Sequence, residues 1–277
     1  MTKKVTVSDF IEKKQDNEKL TVLTAYDYST AKLFDSAGID AMLIGDSLGM
    51  VMLGYDNTLQ VSVDDIIHHT KAVSRGASRS LVIADMPFLS YHISVEETIR
   101  NAGRMIQEGS AEAVKLEGGQ EIIDKVEAII KAQIPVVGHL GLTPQSVNVA
   151  GGFKVQGKSK EEAKKLLKDA RLLEKAGVFA IVLECVPYPL AKLVSEKINV
   201  PTIGIGAGNA CDGQVLVYQD MLGMYSDMVP KFVKKYADLG TQIQDAVKGY
   251  IEEVKQGEFP AKEHCFSMDE SILEDIE

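Results

Sequence analysis

Short apolar runs alternate with longer amphipathic stretches from about residue 20 to about residue 220. The runs read LTVLTAY (20–26), AMLIGD (41–46), LVIADM (81–86), AVKLEG (113–118), IPVVGHL (134–140), FAIVLE (179–184), PTIGIG (201–206) and QVLVYQ (214–219). Nearly all are apolar on both faces, as expected of parallel strands covered by helices. The eighth is the weakest, bounded by Asp212-Gly213 and ending in polar residues. The stretches between them carry helix signals. Ser94-Val-Glu-Glu97 and Ser159-Lys-Glu-Glu162 fit a capping box, in which the Ser and the later Glu exchange bonds with exposed amides. Ile122, Ile123, Val126, Ile129 and Ile130 form one apolar helical stripe, and Ala163, Leu166, Leu167, Ala170 and Leu173 form another.

This rhythm predicts an α/β fold, a (β/α)8 TIM barrel with right-handed crossovers. An open doubly wound sheet is the rival that periodicity alone does not remove. A short helix is expected around Val7–Lys14, and a helix-rich tail from about Pro230 to Glu253. Residues 267–277 (SMDESILEDIE) form an acidic tail, mobile or a contact segment. With no low-complexity linker in 277 residues, a single barrel domain over 1–277 is expected.

Composition narrows the classes. At 45% hydrophobic and 25% charged, with 23 Gly and 8 Pro, the chain is ordinary globular material. Forty acids against thirty Lys and Arg give a net charge of −10, which disfavours a nucleic-acid or anionic-membrane partner. No apolar run approaches the ~18 residues of a spanning helix, and MTKKVTVSDFIEKK has no h-region of a secretory signal. Cys185, Cys211 and Cys265 are widely spaced and read as reduced cytosolic thiols.

The informative feature is where the ionisable residues fall. Asp46, Asp85, Glu117 and Glu184 end strands two, three, four and six; His139 is near the end of strand five, and Lys115 lies one layer below Glu117. In a parallel barrel such ends converge on one mouth. A single acid after an apolar run often just begins a loop or caps a helix. Four of them, with a Lys and a His interrupting apolar runs, point to a common site. Two carboxylates about 5 Å apart repel by roughly 3 kcal/mol at an effective dielectric of about 20. Such a cluster must protonate or bind cations. Oxygen-rich ligands suit Mg²⁺ or Mn²⁺ rather than zinc, and leave positions for a chelating 2-oxo acid. A metal on a keto oxygen lets a carboxylate take the adjacent C–H proton. This predicts carbanion chemistry beside a carbonyl and does not select a substrate.

Other motifs carry less. GIGAGN (204–209) resembles a phosphate loop but lacks the third Gly of GxGxxG; a tight turn permitting close approach explains it better. His68-His69 suits a surface or interface. Cys185, next to Glu184, should point the opposite way, toward the helices. GGFKVQGKS (151–159) is a lid or an ordered surface loop.

The chain resembles the ketopantoate hydroxymethyltransferase family, of the phosphoenolpyruvate/pyruvate barrel superfamily, from about Leu20 to Phe266. The resemblance rests on TAYD (24–27), GDSLG (45–49), DMPF (85–88), VKLEGG (114–119), GHLGLTPQS (138–146), GGFKVQGK (151–158), LECVP (183–187), IGIGAG (203–208) and CDGQVLV (211–217). It implies transfer of a one-carbon unit from 5,10-methylenetetrahydrofolate to 3-methyl-2-oxobutanoate, on the route to pantothenate. It implies that Asp46 and Asp85 hold one Mg²⁺ per subunit, with Glu117 beside it, directly or through water. Asp46, Ser47, Asp85, Lys115 and His139 would bind the 2-oxo acid, Glu184 would be the general base, and IGIGAG would help form the folate side. It further implies a cytoplasmic homo-oligomer, typically a decamer. Phe153 replaces a frequent Tyr, and Gln133 stands where a Gly often precedes the Ile-Pro-Val strand. A lyase or mutase of the same superfamily and a non-catalytic scaffold binding small acids are the alternatives.

Overall fold

The computed structural model describes residues 3–150, 152, 155–224, 229–273 and 276. Among these, eight parallel strands close into a barrel in chain order. They are β1 (Leu20–Thr24), β2 (Ala41–Ile44), β3 (Leu81–Asp85), β4 (Ala113–Glu117), β5 (Val136–Gly141), β6 (Ala180–Glu184), β7 (Thr202–Ile205) and β8 (Gly213–Leu216). Closure by β1 against β8, with Leu20 opposite Gly213, removes the open-sheet rival. The eighth run is corrected at its end. Only its first part is strand, and Tyr218–Met221 turns helical.

The helices are α1 (Val7–Gln15), α2 (Tyr28–Ala37), α3 (Leu48–Val51), α4 (Val63–Gly76), α5 (Val95–Gln107), α6 (Ile123–Lys131), α7 (Val147–Ala150), α8 (Lys160–Ala176), α9 (Tyr188–Lys197), α10 (Tyr218–Met221) and α11 (Leu239–Gln256). Ser159 and Glu162 exchange both bonds of the expected capping box, whereas Ser94 makes its half, accepting from the Glu97 amide at 3.1 Å. Gln133, after α6, has φ +66°, a left-handed conformation that a glycine adopts without strain. The tail is helical only from Leu239, later than the composition suggests.

Alternation along each strand sorts the apolar residues into two layers. Val82, Ala84, Val114, Leu116, Ile181 and Leu183 pack outward under the helices, while Val22, Leu43, Ile83, Val137, Val182 and Ile203 fill the barrel interior. Helix α1 covers the end of the barrel where the strands begin. Its Phe10 joins the interior cluster and meets Phe179 edge-on at 5.4 Å. Lys13 pairs with Asp40 at 2.7 Å, and Lys14 donates to Ser195 O, Val200 O and Asp212 Oδ2. The barrel floor is thus packed and pinned. No helix among the described residues is long and apolar enough to cross a membrane.

Candidate active site

Because the strands run parallel, their carboxyl ends deliver side chains to one mouth. Asp46 stands two residues past β2, Asp85, Glu117 and Glu184 end β3, β4 and β6, and Lys115 and His139 lie within β4 and β5. The register sets Asp85 opposite Lys115 and Glu117 opposite His139. Together with Ser47, all seven sequence-predicted residues line one cavity of about 410 Å³. That volume falls within the usual range for small-molecule sites.

The polar contacts are dense. Lys115 Nζ lies 2.6 Å from Asp85 Oδ1 and 3.2 Å from His139 Nδ1. Glu117 Oε1 is 3.4 Å from His139 Nδ1, and Glu184 Oε2 is 3.3 Å from His139 Nε2. The Asp46 amide donates to Asp85 Oδ2 at 3.0 Å, and Ser47 Oγ is 2.8 Å from the Tyr26 hydroxyl. Behind Glu184, the Leu142 amide donates to the Glu184 carbonyl at 2.8 Å. Gly141 has φ +96°, and a Cβ there would run into that carbonyl, so a glycine is required.

Burial and charge decide protonation. Burial pushes the Asp46 carboxyl well up, and the neighbouring Asp85 and Glu117 push the same way. Asp85 is also raised, by burial against the opposing pull of Lys115. For Glu117 burial is outweighed by His139, Lys115 and the Gln145 amide, and its pKa falls. Burial and Lys115 lower His139, yet Glu117 and Glu184 outweigh them and carry it up to about 9. Lys115 and a protonated His139 therefore face four acids.

A hard divalent cation fits this inventory. The donors are carboxylate oxygens, negative charge is in excess, and Asp46 Oδ1 makes no hydrogen bond among the described residues. A raised carboxyl holds a proton where a cation would serve equally well. Both Glu117 oxygens are engaged, Oε1 near His139 and Oε2 by the Gln145 amide at 3.0 Å. Among the described residues no three or more His, Cys, Asp or Glu side chains are arranged as a ready-made metal site. Mg²⁺ does not need one, since one or two carboxylates and several waters suffice.

A family model described as ketopantoate hydroxymethyltransferase matches residues 4–262. The chain belongs to the ketopantoate hydroxymethyltransferase family. It is 62% identical over 273 residues to the 3-methyl-2-oxobutanoate hydroxymethyltransferase of Clostridium novyi (strain NT), covering 99% of each chain. To the enzyme of the same name from Enterococcus faecalis (strain ATCC 700802 / V583) it is 63% identical over 273 residues, again covering 99% of each. In fold it is similar to phosphonopyruvate hydrolase, solved with oxalate and Mg²⁺, at a TM-score of 0.60 and 12% identity, covering 96% of this chain and 93% of that one.

Sequence reasoning missed the groups that tie the acids together. Gln145, buried beyond β5, donates from Nε2 to Asp46 Oδ2 at 2.9 Å and to Met86 O at 3.0 Å, while its Oε1 accepts from the Tyr91 hydroxyl at 2.7 Å. The available signal was its place inside GHLGLTPQS. Cys185 does not turn toward the helices. Strand alternation ends at Glu184, and Cys185, at φ +50°, lines the cavity. Two of the three glycines of GIGAGN face rings: a Cβ on Gly206 would sit 2.7 Å from Phe232 Cδ1, and one on Gly208 would strike Tyr188, while one on Gly204 would lie 3.0 Å from Cys211 Sγ. The tight-turn reading accounts for them. His68 is exposed, and His69 Nδ1 is 2.7 Å from Tyr26 O. Gly151, Phe153 and Lys154 of the 151–159 loop lie outside the described residues; its Val155 lines the cavity.

Proposed function

We propose that the chain transfers a hydroxymethyl group from 5,10-methylenetetrahydrofolate to 3-methyl-2-oxobutanoate, giving 2-dehydropantoate in pantothenate biosynthesis. Family membership at about 60% identity supports the reaction. The single observation that carries the chemistry is the convergence of Asp46, Asp85, Glu117, Lys115, His139 and Glu184 on one cavity.

Asp46 and Asp85 would hold Mg²⁺, with Glu117 beside it, and the ion when bound supplies Lewis-acid polarisation of the keto group. Lys115 and Ser47 bind the carboxylate and keto oxygens of the 2-oxo acid. Glu184 takes the proton from C3. His139, charged and against Glu184 and Glu117, stabilises the negative charge that develops on the acid and fixes the Glu184 carboxylate. The nucleophilic C3 then attacks the methylene carbon of the one-carbon donor, and water displaces the folate nitrogen from that carbon, releasing tetrahydrofolate and leaving a hydroxyl on the transferred carbon.

The protein acts in the cytoplasm, where its free cysteines stay reduced. It is a homo-oligomer, a decamer by family resemblance. Helix α11 supports association, for Ile243, Val247, Tyr250, Ile251 and Val254 are all exposed on it. Light scattering tests the subunit number. The activity is tested by following ketopantoate from 3-methyl-2-oxobutanoate and methylenetetrahydrofolate, with and without chelator. Product formation that chelator stops is expected; no product with Mg²⁺ present overturns the reading.

A further inference from the structure

One acid in the cavity has no role in the chemistry above. Asp220 lies in α10, just past β8, and lines the same cavity. It is 7% exposed, and its Oδ1 has no hydrogen-bond partner among the described residues. Nor does its side chain form any ion pair there. Thr58, 2% exposed and in the same cavity, also leaves its Oγ1 without a partner. Buried polar groups are nearly always paired, so two that line one cavity call for a ligand. Burial alone pushes the Asp220 carboxyl up to about 6.

The surroundings define what that ligand is. Met50, Val51, Val217 and Phe232 line the same cavity and offer apolar faces to a flat ring. A carboxylate is suited to accept two parallel N–H groups. The Thr58 hydroxyl, in the same cavity, can donate to a ring carbonyl. At the rim the exposed Lys231 offers a cation to an anionic tail. A reduced pterin has this pattern: an N–H and an amino group on one edge, a carbonyl adjacent, and a tail ending in carboxylates.

We propose that Asp220, with Thr58, binds the 2-amino-4-oxopyrimidine edge of the pterin of the one-carbon donor, with Asp220 accepting from the 2-amino group and the ring N–H. This rests on the folate-dependent reading above. It divides the cavity between an acid end, at Asp46, Asp85 and Lys115, and a pterin end, at Asp220.

The test is calorimetric titration of the full-length protein with tetrahydrofolate, with its 2-desamino analogue and, separately, with 3-methyl-2-oxobutanoate and Mg²⁺. Asp220→Asn is expected to weaken tetrahydrofolate roughly 10- to 100-fold, the loss expected for charged hydrogen bonds. The desamino analogue should bind the original protein several-fold more weakly, and the substitution should cost it less than the parent, because only the ring N–H bond is left to lose. Retained 2-oxo acid binding certifies the fold. Tetrahydrofolate affinity unchanged by Asp220→Asn overturns the proposal, as does an analogue weakened by the substitution as much as the parent. If Asp220→Asn loses the 2-oxo acid as well, Thr58→Val decides: a severalfold loss of tetrahydrofolate alone supports the site, and no loss removes it. A protein that binds tetrahydrofolate through Asp220 yet makes no ketopantoate would refute the reaction and leave the site standing.

Discussion

His139 Nε2 lies 3.3 Å from Glu184 Oε2, while its Nδ1 lies 3.4 Å from Glu117 Oε1, so one imidazole joins the proposed base to the acid proposed to stand beside a metal. Glu184→Gln keeps the shape and removes the base. Exchange of the C3 hydrogen of 3-methyl-2-oxobutanoate with D2O, read by proton NMR, should slow by about 10²- to 10⁴-fold. Exchange at the original rate would remove Glu184 from the mechanism.

The same imidazole makes stability depend on pH. His139 titrates at about 9 in the fold against 6.5 as its ordinary value. A raised folded pKa gives stability that is full below pH 6.5 and lost as pH rises through 9. In chelator-treated protein this amounts to about 3 kcal/mol across that window. Urea melts from pH 6 to 9.5 should show the decline, and His139→Gln should flatten it. Parallel slopes in the two proteins would refute the assignment.

Asp46 and Asp85 are expected to respond in opposite senses. Asp46→Asn removes a carboxyl that its neighbours repel and keeps an oxygen for Gln145. It should raise the thermal midpoint of metal-free protein by roughly 2–4 °C. Asp85→Asn strands the buried Lys115 and should cost about 3–5 kcal/mol. Both should weaken Mg²⁺ by more than about 10-fold in a calorimetric titration. Unchanged Mg²⁺ binding in either would strike that residue from the ligand set.

Gln145→Leu removes the donor to Asp46 and the acceptor for the Tyr91 hydroxyl. Mg²⁺ affinity should drop by about 10- to 100-fold although Gln145 itself is not a proposed ligand. Gln145→Glu, which adds a charge without restoring the donor, should not rescue it.

Gln133→Gly relieves a left-handed residue far from the mouth. A net gain of about 0.5–1 kcal/mol is expected, with activity unchanged. Differential scanning calorimetry beside a ketopantoate assay checks both halves.

The strands and the converging acids were legible because each depends on local pattern, apolar runs ended by Asp or Glu. The links between them were not. Gln145 reaches Asp46 across 99 positions of sequence, and the raised His139 arises from Glu117 and Glu184 on the two adjacent strands. Cys185 was misplaced because alternation was carried one residue past the strand, where φ turns positive. Asp220 was hidden for a related reason. Reading QVLVYQ as strand to its end obscured the turn of helix that carries this acid into the cavity.

Helix α1 leaves the barrel a cup rather than a tube. With Phe10 filling the bottom, the cavity that gathers the acids belongs to the strand-end mouth. On the function proposed above, both reactants would have to pass that mouth, so a 2-oxo acid held at Lys115 would load before the one-carbon donor, and the product would leave after the spent donor.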